Sequence, residues 1–414
     1  MGLKSGIFAV VLLSGLSACA AKEEILEGTR LDLRADSGAE AVETQALNLP
    51  AATVNANWTH RNGNAGHYLA HPALSANPKR IWATDIGVGN KKRIRLASDP
   101  IVAGGRIYTL DADGTVVAVS LNGAVQWRVP LKLPNSPKSN GSGGGLAYAD
   151  GRLAVTTGVG EVALLDANTG AIAWRHRIGS GLSVAPAFDG KTVVVVSGAN
   201  TSVGLNAANG RITWKQNSDT NGAGILGAGT PAIAGGVAVV PYSSGEVQGI
   251  VLSNGLQAWN QVINGQRIGS SRSLIKAVSG DPVVVGDTVY TGTNSGRLVA
   301  LDRRSGQRLW TAREGAIGPV WPAGNALFVL TDEQKLKRLN SVDGSEVWVA
   351  ELPQFRKVKR QKGNYGHFGP VLAGGRLYVA GTDGVIRVFD PATGGLVNSI
   401  AISGGAASQV VVAG

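Results

Sequence analysis

The feature that most constrains this chain is a repeat ending in tryptophan. An apolar strand leads to a Gly with a polar neighbour, a second strand, a glycine turn, a third strand closing on Asp or Asn, another glycine turn, and Trp. It reads GDTVYTGTNSGRLVALDRRSGQRLW from Gly286 to Trp310, GRLAVTTGVGEVALLDANTGAIAW from Gly151 to Trp174, and GKTVVVVSGANTSVGLNAANGRITW from Gly190 to Trp214. Further copies end at Trp127, Trp259 and Trp348, and a seventh begins at Gly375 with Asn398 in the tryptophan position. An isolated strand, RIWATDI, puts Trp82 in the same role without three strands before it. Trp82 to Asn398 spans 316 residues in seven intervals, a mean period of about 45, which is the spacing of four-stranded propeller blades.

Each position in the repeat has a physical reason. Asp166, Asp302 and Asp390 can accept hydrogen bonds from backbone two residues on, starting the turn between third and fourth strands. Gly170, Gly210, Gly255, Gly306, Gly344 and Gly394 supply the positive φ that the turn requires. The Trp is large enough to fill the space between adjacent sheets. Recurrence at one position of the copies makes these aspartates turn-formers rather than paired catalytic carboxylates. With Gly at 59 of 414 residues and only 16% charged, the chain has the composition of many short strands joined by tight turns, and no helical apolar spacing follows residue 50.

The expected fold is therefore all-β: an eight-bladed β-propeller of four-stranded blades, the last blade closed by the N- and C-terminal segments. ASQVVVAG at the C-terminal end matches the first strands DPVVVGD (281–287) and FGPVLAGG (368–375), and Trp82 supplies the fourth. Such sharing removes a free sheet edge. The repeat predicts about 15 to 20 further residues, carrying two strands, beyond Gly414. Either the closing blade is thin or the sequence is truncated.

The N-terminal region divides the remainder. Residues 1–18 read as a signal peptide, with Lys4 ahead of the apolar run GIFAVVLLSGLSA, whose 13 residues fall short of the roughly 20 needed to span a bilayer. The string Leu16-Ser17-Ala18-Cys19 resembles a bacterial lipobox, so Cys19 is expected to be lipidated; Ala20 after it implies delivery to the outer membrane. Cys19 is the only cysteine, which excludes an intrachain disulfide. Residues 19–57 read as a polar, acidic, flexible tether, with a root-mean-square span of roughly 35 Å, and 58–414 as the propeller.

The blade signature, a third strand followed by Asp-x-x-Thr-Gly and Trp, resembles the PQQ-like repeat of quinoprotein-type propellers. Combined with the lipobox, the length and a single propeller, the chain resembles the BamB family, lipoproteins of the β-barrel assembly machinery. Its more specific stretches are KEEILEGTRLDLR (22–34) and NWTHRNGNAGHYLAH (57–71). The resemblance implies a non-catalytic scaffold without a cofactor, lipid-anchored on the periplasmic face of the outer membrane. Its partners would be the POTRA domains of BamA, other components of the machinery, and unfolded outer-membrane proteins whose delivery and insertion it assists. Family members make the BamA contact through loops on one rim of two neighbouring blades. Here GAGILGAGTP places Ile225 and Leu226 in the first loop, without the family's arginine. RSLIKAVSGDP contributes Arg272 and Asp281 to the second, with Ala277 and Ser279 where acids are expected.

Charge adds a second surface. Residues 1–50 are net −3, leaving +14 on 51–414. The basic runs KKRIR (Lys91, Lys92, Arg93, Arg95) and RKVKRQK (Arg356, Lys357, Lys359, Arg360) each follow a blade-ending Trp, so both lie in inter-blade loops on one rim. That rim is expected to face an acidic partner or anionic lipid, as against plain solvated loop charge. Nucleic acid is a poor fit, because no aromatics interleave with the basic residues. The match of 222–227 to G-x-G-x-x-G lacks a βαβ context, FDGKT (188–192) lacks a Walker motif's first glycine, and His67 with His71 lacks a third zinc ligand. Two alternatives remain: a PQQ-dependent dehydrogenase, which the single cysteine and compact blades disfavour, and another periplasmic propeller lipoprotein binding an envelope partner.

Overall fold

A computed structural model describes residues 45–90, 95–131, 143–179, 181–182, 184–218, 229–265, 267 and 275–414. Within these residues the chain forms seven four-stranded antiparallel sheets, each a meander in sequence order. The blades occupy 101–130, 144–177, 187–217, 232–262, 278–312, 321–351 and 367–401. A two-stranded hairpin, Phe355–Lys357 paired with Lys362–Asn364, stands between blades six and seven.

The second and third strands of most blades are apolar on both faces, whereas the third strand of blade six buries Lys337 and Arg338. Thr115–Ser120, Glu161–Asp166 and Arg297–Asp302 each bury four consecutive residues, because both faces of a blade are covered by neighbouring blades. The apolar interior is accordingly a series of layers between blades. Leu153, Val155 and Leu165 of blade two pack with Tyr108, Val116 and Ala118 of blade one, and equivalent layers join each later pair. Fourth strands, at the outside of the ring, alternate exposed and half-buried residues, as in Ile172–Arg177.

The turn chemistry follows the sequence reading. Asp166 Oδ1 accepts bonds from Asn168 N, Thr169 N and Thr169 Oγ1, and Asp302 does the same for Arg304 and Ser305. These bonds hold both carboxyls below the usual range. Gly210 has φ +71° and Gly306 has φ +71°, the left-handed region that glycine tolerates. Each tryptophan lies over the turn glycine of the next blade and donates Nε1–H to a carbonyl there. Trp174 reaches Ala207 O at 2.9 Å, Trp214 reaches Leu252 O at 2.9 Å, and Trp259 reaches Arg303 O at 2.8 Å. A β-bulge one residue before the tryptophan position breaks the register between third and fourth strands in all seven blades. The extra residue re-aims the side chain onto the neighbouring blade; the one-dimensional pattern holds no sign of it.

Among the described residues seven of the expected eight four-stranded blades are built in that way, and in the eighth sector the first-strand and fourth-strand places are held. Trp82 occupies the fourth-strand place, with Nε1 donating to Leu121 O at 2.9 Å and its ring against Gly123. The first-strand place is held by residues 409–413, whose Val412 lies in the core shared by blades six and seven, Trp58 and Val102. No ladder joins these segments among the described residues. The first and fourth strands of a blade stand three strand spacings apart, roughly 14 Å, so they cannot pair directly.

Residues 45–57, read from sequence as the end of the tether, are attached to the propeller along their length. Asn325 bonds both Ala46 O and Asn48 N, Leu47 and Leu49 pack against the core, and Asn55 Nδ2 donates to Val412 O at 2.8 Å.

Candidate functional site

The segment 58–72 closes one end of the propeller axis. It meets every blade in order, at the innermost strand or, in blade seven, at the turn that follows it. Trp58 pairs with Val102 of blade one, Thr59 O accepts from Tyr148 N of blade two at 2.9 Å, and His60 Nε2 meets Phe188 N of blade three at 3.1 Å. Ala65 O takes Ile233 N of blade four at 2.6 Å and Gly66 O takes Val284 N of blade five at 2.8 Å. Ala70 O accepts from Trp321 Nε1 of blade six at 3.2 Å, and His71 Nε2 accepts from Gly375 N of blade seven at 2.8 Å. These contacts lie toward the ends of the first strands, so the clasp sits on the face opposite the inter-blade loops.

Arg61 leaves the clasp and reaches into the axis. Its Nε lies 3.0 Å from Asp281 Oδ2 and 3.2 Å from Asp99 Oδ2. Asp281 is 1% exposed, and its Oδ1 also accepts from Thr230 N. Burial pulls the Arg61 guanidinium down, but the two carboxylates outweigh that and hold it charged. Burial raises the Asp99 carboxyl, and Arg61 offsets only part of the rise. The adjoining axial cavity measures about 30 Å³ and is lined by Arg61, Asp99, Leu330, His367 and Gln409 among others. That is room for water, far below the roughly 300 Å³ of a cofactor-sized pocket.

The histidines here are committed to structure. Burial and the nearby His67 push His60 down to about 3. Burial, with the charge of Arg387 nearby, lowers His367 to about 4. His67 Nδ1 lies 2.9 Å from Pro282 O and His71 Nδ1 lies 2.8 Å from Pro50 O, so the pair weighed as zinc ligands binds backbone instead. FDGKT makes a tight turn, Asp189 Oδ1 accepting from Lys191 N and Thr192 N.

The sequence-selected residues distribute unevenly. Cys19, Lys91, Lys92, Arg93, Ile225, Leu226 and Arg272 lie outside the described residues, as does the glycine-rich run 222–227. Asp281 is described and points into the axial cluster rather than to solvent. Arg95 is exposed on the lead-in to blade one. Arg356, Lys357, Lys359 and Arg360 are brought together on the hairpin before blade seven, joined by Lys362. All five are exposed and have no ion-pair partner among the described residues, while Val358 at the hairpin's tip is 76% exposed. Tyr365 N bonds Gln354 O at 2.9 Å and Gln354 Nε2 bonds Glu333 O at 3.1 Å, fixing the base of the hairpin to blade six. The Arg61–Asp99–Asp281 cluster was missed from sequence. Its only trace is a single Arg inside the clasp, with acids 38 and 220 residues away.

Repeated four-stranded sheets, tryptophans capping the next blade's turn and a closed axis define a β-propeller of the PQQ-like repeat class. The family model of the outer membrane protein assembly factor BamB matches residues 112–350 and 333–414. The chain belongs to the BamB family. A relative of that name from Yersinia pestis is 27% identical over 347 residues, covering 81% of this chain and 85% of its own. In fold, the chain is similar to BamB from Moraxella catarrhalis, with a TM-score of 0.66 at 17% identity, covering 77% of this chain and 92% of that one. It is also similar to the quinohemoprotein alcohol dehydrogenase from Comamonas testosteroni, with a TM-score of 0.67 at 12% identity, covering 86% and 75%. The propeller is thus common to assembly factors and enzymes, and fold alone does not choose between them.

Proposed function

We propose that this chain is a non-catalytic scaffold lipoprotein of the outer-membrane β-barrel assembly complex, anchored through Cys19. It would bind the POTRA domains of BamA with its loop-bearing rim and assist delivery and insertion of outer-membrane proteins. Membership of the BamB family, with the family model covering 112–414, carries this reading. On this reading Ile225 and Leu226 are the apolar docking residues and the hairpin cations give the rim its charge. Asp281 supports the neighbouring loop from within by holding Thr230 N and Arg61.

The test is a pull-down with the BamA POTRA region, comparing wild type with the Ile225→Glu/Leu226→Glu double variant. Loss of binding in the folded variant supports the docking site; undiminished binding removes it. Absence of wild-type binding even at low salt would overturn the scaffold assignment. Cys19→Ser should release the protein from outer-membrane fractions, and a chain still membrane-bound would refute the anchor. Against the dehydrogenase alternative, added PQQ and calcium should give no stoichiometric cofactor absorbance band.

A further inference from the structure

We propose that the small cavity beside the axial charge cluster is a binding site for one buried water molecule, which bridges the clasp, the lead-in to blade one, blade seven and the segment 409–413. The inference is independent of the assembly role proposed above. Arg61, Asp99, His367 and Gln409, one from each of those four parts of the chain, line a single cavity of about 30 Å³. Roughly 10–15 Å³ is enough to hold a water, provided polar partners surround it. The remaining walls include Leu330 and Phe368, which offer no side-chain hydrogen bond.

Three of the four polar residues carry a buried atom with no hydrogen-bond partner among the described residues: Asp99 Oδ2, His367 Nε2 and Gln409 Nε2. His367 is 4% exposed and Gln409 6%, so bulk solvent does not serve them, and a buried polar group left unpaired is costly. Asp99 Oδ2 stands 3.2 Å from Arg61 Nε, a charge contact that lacks the alignment of a hydrogen bond. His367 Nδ1 lies 2.8 Å from Gln334 Oε1. An amide oxygen only accepts, so Nδ1 carries the ring proton and Nε2 presents a lone pair. Burial, with the charge of Arg387, lowers His367 to about 4 and keeps the ring neutral. Gln409 is set beside Asp99 by its own backbone N–H, which donates to that carboxyl, and its side-chain Nε2 brings further N–H donors.

The mixture of groups selects the ligand. A cation would meet the Arg61 guanidinium and the N–H bonds of Gln409. An anion would meet the Asp99 carboxylate and the His367 lone pair. A molecule that both donates and accepts satisfies all of them, and at this volume that molecule is water. It accepts from Gln409 Nε2 and donates to Asp99 Oδ2 and His367 Nε2, which makes the roughly three bonds usual for a buried water. Side chains from distant parts of the sequence that do not bond one another directly are thereby joined through one shared centre.

Two measurements on the whole chain test this. A high-resolution crystal structure should show one density peak at about 2.7–3.2 Å from Asp99 Oδ2, His367 Nε2 and Gln409 Nε2. In solution, the Gln409 side-chain amide of ¹⁵N-labelled protein should show cross-relaxation with a slowly exchanging water. A His367→Phe variant keeps a ring but removes the lone pair, and should weaken that cross-peak at least about tenfold while the backbone spectrum stays close to wild type. A cavity without density, or a direct Gln409–His367 hydrogen bond, overturns the proposal. So does an anomalous peak at the site after soaking with rubidium or bromide, which would make the ligand an ion. An undiminished cross-peak in folded His367→Phe overturns it as well. Should that variant not fold, the wild-type density and cross-peak decide.

Discussion

Replacing Arg61 by Met is the sharpest test of how the axis is built. The substitution keeps an unbranched side chain reaching as far as the Nε position, and removes the charge facing Asp99 and Asp281 at 3.2 and 3.0 Å. Arg61 is 27% exposed, whereas Asp99 is 9% and Asp281 1%. Breaking a buried pair by removing one partner costs about 3–5 kcal/mol, because the remaining charge is left uncompensated. With an unfolding entropy of roughly 2.1 cal/mol/K per residue, a body of about 370 residues should lose about 4 to 6 °C in melting temperature. The loss should depend on pH in a defined direction. Burial already raises the Asp99 carboxyl in the folded state, and without Arg61 it rises further. A carboxyl raised on folding binds a proton more readily in the native state, so stability falls as pH rises above the unfolded carboxylate range. The deficit of Arg61→Met relative to wild type should therefore be larger at pH 8 than at pH 5. Differential scanning fluorimetry at the two pH values decides it. An unchanged melting temperature, or a larger deficit at pH 5, would refute the argument that Arg61 neutralises buried carboxylates.

Three further predictions follow from other parts of the molecule. Gly151 (φ +73°) and Gly210 (φ +71°) share left-handed backbone, but a Cβ at Gly151 meets nothing within 4 Å while one at Gly210 lies 2.7 Å from the Trp174 ring. Gly151→Ala should thus cost about 1–2 kcal/mol by backbone strain alone, and Gly210→Ala about 1–3 kcal/mol more by crowding, read from urea midpoints. His60 and His367 are lowered to about 3 and about 4 on folding, so each stabilises fully above pH 6.5 and loses its contribution as pH falls. Between pH 6.5 and 5 the loss should be about 2 kcal/mol per histidine, and a His60→Gln variant should show a shallower decline in a chemical-denaturation pH series. On the hairpin, Lys357→Glu/Lys359→Glu/Arg360→Glu should shift stability by no more than about 0.5 kcal/mol for each exposed site. It should nevertheless weaken binding to a POTRA fragment or to anionic vesicles measured by co-sedimentation at low salt, and equal binding by both proteins would retire the basic rim as a docking feature.

Much of the fold is legible in the repeat, because each blade is a local device. The Asp166 turn, the positive φ at Gly170 and the indole of Trp174 recur within about 10 residues of one another, and a local requirement leaves its mark on neighbouring letters. The place of Trp82 is legible for the same reason, since the residues that seat it repeat elsewhere. What the repeat could not show is whatever joins distant parts of the ring. The clasp at 58–72 looks like a polar lead-in, yet Thr59, Ala65, Gly66, Ala70 and His71 each find a different blade. Asp281 reads as a loop acid beside a proline and turns out to be buried against Arg61. The bulge before each tryptophan is silent in sequence because it lies in the pairing of two strands, which no single strand encodes.

The sequence alone determined the blade: its four strands, its period, the turns that close it and the indole that ties it to the next. Tertiary structure decided how the blades are held in a ring, with an axial clasp touching all seven and an Arg61 charge cluster inside it. It also seated residues 45–57 on the propeller, with Asn325 bonding both Ala46 O and Asn48 N. The division has a physical cause. Turns and bulky caps act over a few residues, whereas ring closure and buried charge pairing depend on groups that approach only after the chain has folded.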